Sequence, residues 1–176
     1  MSGSSFLERL RQQFGDLITG SNLEALDPWI EVAPQGLIAV CKFLKEDSEL
    51  EFNMLNCITA VDYLHTDAKK AAKAGWDPHM EVVYHLSSVT KKHTLVVKVM
   101  LPRWQDDVES QLPEVPSVAE VWSTADWHER EVFDLSGVCF TGHPDLRRIL
   151  CPEDWEGFPL RKDYEMPLEY HGIRGK

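Results

Sequence analysis

The sequence predicts an α+β domain with a mainly antiparallel sheet and flanking helices, followed by a long extended irregular C-terminal tail. Three observations carry this reading. Met80, Val82, Tyr84 and Leu86 alternate with Glu81, His85 and Ser87; a polar turn at Thr90–His93 then returns the chain as Leu95, Val97, Val99 and Leu101, the pattern of a hairpin. Phe6, Leu7, Leu10 and Phe14, and again Leu37, Val40, Cys41 and Leu44, recur at helical spacing. From Gly137 onward, Gly137, Gly142, Pro144, Pro152, Gly157, Pro159 and Pro167 punctuate the chain too often for an ordinary helix or a regular strand pair.

Taken in order, the first helix has Ser4 and Ser5 as cap candidates and Gly15 as its end. Asp27–Ala33 reads as a strand, after which Pro34 suits the first turn of the second helix. Residues 46–49 break that helix, and Phe52–Leu64 reads as a buried strand, with Ile58 and Ala60 on one side and Cys57, Val61 and Tyr63 on the other. His65–His79, with Lys69, Lys70, Lys73 and Gly75, is a solvated excursion before the hairpin. Leu112–Pro116 is a proline-marked linker, and Ser123 with Asp126 three residues on caps a helix from about Ala125 to Leu135. The organisation is an α+β domain over 1–136 and an extended partner-binding segment over 137–176. That segment is not polar: Val138, Phe140, Ile149, Trp155, Phe158 and Tyr164 need a surface to lie on, either the domain itself or another protein.

With 176 residues and a formal net charge of -11, the chain is the size of one domain with an appendage and carries the wrong sign for nucleic acid or an anionic bilayer. No run reaches the roughly 18–20 apolar residues of a membrane span, and residues 1–5 are not followed by a signal-peptide core. Cys41, Cys57, Cys139 and Cys151 lie far apart with no C-x-x-C pair, so neither zinc nor an iron-sulfur cluster is indicated, and all four read as reduced, mostly buried thiols.

His128, Glu129, Glu131 and Asp134 invite an acid/base or metal reading, which needs convergent groups. On a helix Glu129 and Glu131 point in different directions, and the spacing is not H-E-x-x-H, so the reading is a solvated, partner-facing helix. His143 before Pro144 is a turn histidine. No nucleophile elbow, dinucleotide fingerprint or phosphate loop occurs, so no catalytic, cofactor or metal residue is assigned. Arg147, Arg148, Arg161 and Lys162 differ in kind. In an extended chain Arg147 and Arg148 address opposite sides, and arginines among Trp and Tyr match the anchors of protein interfaces.

These residues carry a resemblance. Glu129-Arg130-Glu131, Phe133-Asp134-Leu135-x-Gly137, Gly142 to Leu150 (G-H-P-D-L-R-R-I-L) and Asp154 to Tyr164 (D-W-E-G-F-P-L-R-K-D-Y) form a collinear run similar to the signature of the 30 kDa subunit of proton-translocating NADH:quinone oxidoreductase, respiratory complex I. Val61-Asp62-Tyr63 at a strand end fits as well. Ser136 stands where that family usually has Phe, and Phe158 where it usually has His, both at contact positions that bear on partner geometry. The resemblance implies a cofactor-less subunit of the hydrophilic peripheral arm beside the 49 kDa-type quinone-site subunit, with FMN and Fe-S clusters in partner subunits. It implies a peripheral place on the cytoplasmic face of the membrane, or the matrix face in a mitochondrion, reached only through the complex. The residues assigned to partners are Glu129, Arg130, Glu131, His143, Asp145, Arg147, Arg148, Asp154, Trp155, Arg161, Lys162, Asp163 and Tyr164. Related membrane-bound hydrogenases and other dehydrogenase complexes use equivalent subunits. The reading from another class is a free-standing cofactor-less enzyme using His128 and Glu131.

Overall fold

The computed structural model describes residues 3–174. Helix α1 (Gly3–Phe14) opens the chain; the side chains of the cap candidates Ser4 and Ser5 lie outside the described residues. Strands β1 (Ile18–Asn22) and β2 (Trp29–Val32) pair antiparallel, and helix α2 (Leu37–Glu46) follows. β3 (Met54–Asp62), β4 (Met80–Ser88) and β5 (His93–Leu101) form a meander, with Lys92 at φ +56° in the hairpin turn. The sheet order is β1-β2-β5-β4-β3. It is mixed, because β2 runs parallel to β5. The path explains this: α2 carries the chain from β2 to the far edge, and the meander then returns it to β2's side. β1 carries no alternation in I-T-G-S-N, and only its pairing with β2 makes it a strand.

The core lies on one sheet face. Ile30, Val32, Val97, Val99, Val82, Tyr84 and Ile58 pack there against Leu37, Val40, Cys41 and Leu44 of α2 and Leu10 of α1, all buried. This is the period-2 face meeting the period-3.6 stripe that the sequence displays. The excursion at 65–79 contains the four-residue helix α3 (Ala68–Ala71), and Tyr63 stacks on His79 at 4.4 Å beside it.

Helix α4 (Ala125–Ser136) packs on β3. Thr124 is already in the right-handed helical region and makes no side-chain cap bond, so the expected Ser123/Asp126 capping box is replaced by the preceding turns, in which Trp122 N–H donates to Val118 C=O and Ala125 N–H to Trp122 C=O. Trp122 is buried, and its indole N–H donates to Phe52 C=O at 3.0 Å.

No boundary falls after residue 136. Val138 (0% exposed) and Phe140 (1%) enter the same core, and β7 (Cys139–Thr141) pairs in parallel with β6 (Glu114–Pro116), the stretch read as a linker. Three-residue strands are too short to show a period, and their pairing joins segments some two dozen residues apart. A short hairpin, β8 (Glu169–Tyr170) and β9 (Ile173–Arg174), ends the described chain.

Candidate functional site

The first functional feature is the C-terminal turn of α4. Gly137 takes φ +68° and its N–H donates to Phe133 C=O, the left-handed stop a glycine supplies. Phe158 lies directly on it: a Cβ at Gly137 would sit 2.6 Å from the Phe158 ring. One turn earlier, the fully buried Asp134 carboxylate accepts backbone N–H groups from Ile149 (3.0 Å), Leu150 (2.6 Å) and Cys151 (2.9 Å) on one oxygen and Arg148 Nη1 (2.7 Å) on the other. Burial alone raises this carboxyl; the Cys151 and Leu150 N–H groups, Arg148 and the Ile149 N–H outweigh it and hold it below the usual range. The carboxylate is therefore an anchor for the tail.

A second anchor holds residues 161–163 to the end of the sheet. Arg103 grips Asp62 with two bonds of 2.9 Å and reaches Asp163 at 2.9 Å, while Asp62 also accepts the Lys162 N–H at 3.0 Å. Burial pushes Asp62 up, but Arg103 and the Lys162 N–H together leave its carboxyl lowered. Arg161 is 5% exposed, stacked 3.7 Å from the Trp104 ring centroid, and donates to the carbonyls of Ser136 (3.0 Å) and Gly137 (3.2 Å).

The third feature is inside. Glu129 is fully buried, accepting Ser117 Oγ–H at 2.5 Å and Val118 N–H at 2.7 Å. Its pKa is pushed up to about 7, chiefly by burial, against the lowering effect of those two donors and with a small contribution from Asp126. The His143 side chain is equally enclosed. Its Nδ1 accepts the Asp145 N–H at 3.0 Å, which leaves the proton on Nε2 to point at Asp126 C=O, 3.1 Å away, with Glu129 at 3.8 Å.

The residues assigned to partners thus divide. Glu129, Arg130, His143 and Arg161 are enclosed by their own chain, correcting the solvated-helix reading: α4 lies between β3 and the returning tail, with Trp127 (64% exposed) and Glu131 exposed and Asp126 and His128 partly so. Arg130 covers Trp127 at 4.8 Å, and Arg148 is spent on Asp134 and on Gly157 C=O at 2.9 Å. Asp145 and Arg147 pair on the surface at 2.9 Å; Asp154 holds Tyr170 (2.8 Å) and His171 (2.6 Å), and Trp155 packs against Tyr170. Lys162 stays exposed, and Tyr164 lies over Gly157. Sequence reasoning missed Asp62, Arg103, Trp104 and Ser117 as the inner partners. The clue available was the bare Asp ending an apolar strand, Val61-Asp62-Tyr63, which a buried edge tolerates only with a cation opposite.

Cys41 is buried and Cys57, Cys139 and Cys151 are half-buried, all free; no group of three or more His, Cys, Asp or Glu side chains is placed to hold a metal among the described residues. His128 and Glu131, the pair of the free-standing enzyme reading, form no hydrogen bond with each other among the described residues, and Glu131 is solvated.

Comparison with known proteins matches residues 30–170 to the family described as respiratory-chain NADH dehydrogenase, 30 Kd subunit. An NADH-quinone oxidoreductase subunit from Roseiflexus sp. (strain RS-1) is 43% identical over 169 residues, covering 96% of this chain and 87% of that protein. Its namesake from Chloroherpeton thalassium is 41% identical over 167 residues, covering 94% of this chain, which spans 62% of that relative's length. Among solved structures, a chain of the membrane-bound sulfane sulfur reductase, an archaeal respiratory membrane complex, superposes with a TM-score of 0.70 at 24% identity, covering 94% of this chain and 87% of that one, a likeness of fold.

Proposed function

The chain belongs to the respiratory-chain NADH dehydrogenase 30 Kd subunit family, and from that premise we propose that it is a non-catalytic subunit of the peripheral arm of a proton-translocating NADH:quinone oxidoreductase. Its role is to support the neighbouring subunits, the 49 kDa-type quinone-site subunit foremost, while FMN and Fe-S clusters in those partners carry electrons from NADH to quinone. No flavin or cluster is assigned to this chain, whose four cysteines are dispersed over α2, β3, β7 and the tail. Membrane association comes through the complex, on the cytoplasmic or matrix face; no helix among the described residues is long and apolar enough to cross a membrane.

The observation that carries the reading is the apolar surface of the tail. Leu150, Leu160, Met166, Leu168 and Ile173 are each more than 60% exposed, a density that a free-standing protein avoids and an assembly covers. Its polar groups, by contrast, are largely satisfied within the chain. The tail is a preformed docking surface laid on its own domain.

The test is affinity purification of the native chain from solubilised membranes. Co-purification of the flavin- and cluster-bearing subunits with NADH:quinone activity is the expected result. Recovery of the chain as a stable monomer from the soluble fraction overturns the proposal.

A further inference from the structure

Extended-chain geometry aims the arginines of the tail at carboxylates on partners, yet Arg148 is taken by Asp134 and Gly157, and Arg161 by the carbonyls of Ser136 and Gly137. The charge left facing solvent beside residues 104–109 and 156–165 is negative. A cleft of about 290 Å³ opens there, with the aromatic rings of Trp104, Phe158 and Tyr164 and the exposed carboxylates Glu109, Glu156 and Glu165 in its lining. Those three glutamates make no hydrogen bond or ion pair among the described residues. Arg103 and Arg161 nearby are two cations matched by two anions, Asp62 and Asp163, and the exposed Lys162 offsets one of the three glutamates, so the local sign stays negative.

A second observation points to a ligand. Arg161 also lines the cleft, is 5% exposed, and its Nη1 has no hydrogen-bond partner although Nε and Nη2 do. A buried guanidinium N–H without an acceptor is rare in a finished structure and is completed by whatever fills the space beside it. The cleft is at the bottom of the range of roughly 300–1,000 Å³ that small molecules occupy, a size for one long side chain.

We propose that this cleft receives an extended basic segment of a neighbouring subunit. Trp104 and Phe158 already carry Arg161 and Arg148 on their rings, so a Lys or Arg side chain enters beside Tyr164, where a cation meets a ring face, and Glu109, Glu156 and Glu165 neutralise it. A carbonyl of the same segment accepts from Arg161 Nη1 once the Trp104 indole shifts to admit it. The inference rests on the subunit reading above and adds the sign and chemistry of the partner surface: cationic, not acidic.

The test follows amide shifts of the full chain on titration with a synthetic arginine–glycine peptide, and with a glutamate–glycine peptide of equal length. Shifts at residues 104–109 and 156–165 with the arginine peptide only, weakened by salt and about tenfold or more in the E109K/E156K/E165K variant, are the expected result. Unchanged binding by that variant, or a response to the glutamate peptide instead, overturns the proposal. The variant's melting temperature stays at the wild-type value, because all three side chains are solvated. In cells, the variant is expected to recover poorly with its complex. Full recovery removes this docking site while leaving the subunit reading intact; failure of the wild-type chain to co-purify removes the subunit reading itself.

Discussion

Arg148 Nη1 donates to the Asp134 carboxylate at 2.7 Å and to the backbone carbonyl of the same residue at 2.9 Å, so one side chain both closes the last turn of α4 and binds the tail to it. Asp134 is wholly buried and Arg148 is 15% exposed. Arg148→Glu puts a second anion against a buried carboxylate. Breaking such a pair costs about 3–5 kcal/mol, which at roughly 2–4 °C per kcal/mol for a chain of this size lowers Tm by about 6–20 °C. Thermal unfolding of the isolated variant checks this, and an unchanged Tm would show that the pair holds nothing.

Truncation separates tail from core more sharply. A chain stopped after Leu135 loses Val138, Phe140, Arg148 and Arg161, and uncovers Asp134, whose carboxylate donors Arg148, Ile149, Leu150 and Cys151 all lie in the deleted segment. Loss of a buried Phe alone costs about 3–5 kcal/mol, against a total stability of roughly 5–15 kcal/mol. The truncated chain therefore shows no cooperative transition by circular dichroism. A stop after Met166, which removes mostly exposed residues, keeps it.

The pH dependence has two arms of opposite sign. Asp134 and Asp62 have depressed pKa values in the fold, so their stabilisation is present above the unfolded value and is lost as pH falls through the folded one. Glu129 is the reverse: with its pKa raised from 4.5 to about 7, the folded state holds the proton more tightly, and stability falls as pH rises through that window. Glu129→Gln, whose amide oxygen accepts the Val118 N–H while its NH2 donates to a rotated Ser117 hydroxyl, flattens the neutral arm and leaves the acid arm. Urea midpoints measured from acid to mildly alkaline pH decide it; an unaltered neutral arm in the variant would assign the loss elsewhere.

Gly137 and Phe158 form a matched pair. Gly137→Ala incurs about 1–2 kcal/mol for a left-handed alanine and in addition displaces the Phe158 ring, 2.6 Å from the new Cβ. In a Phe158→Ala background the steric part vanishes and only the conformational part remains. A double-mutant cycle on denaturant midpoints reads the difference as a coupling of about 0.5–3 kcal/mol; additive losses would mean the ring moves aside freely.

The hairpin at 80–101 and the stripe Leu37, Val40, Cys41 and Leu44 were legible because period-2 and period-3.6 patterns are local properties of a few consecutive residues. The end of α4 was legible for the same reason, since Gly137 marks its own stop. The signature from Glu129 to Tyr164 was enough to identify the family. What it could not say is which way its side chains face. Glu129 is enclosed because Ser117 and Val118 close over it, and Arg148 turns inward because Asp134 is dry. Asp62 is met by Arg103 and by the Lys162 backbone N–H, the latter across a separation of 100 residues. A charged residue carries no period, and its burial depends on a counter-charge brought from elsewhere. Local pattern therefore determined the longer elements, and resemblance to a known signature the family, whereas the fate of each charge, and with it the acidic face left for a partner, was decided when the tail folded back onto its own domain.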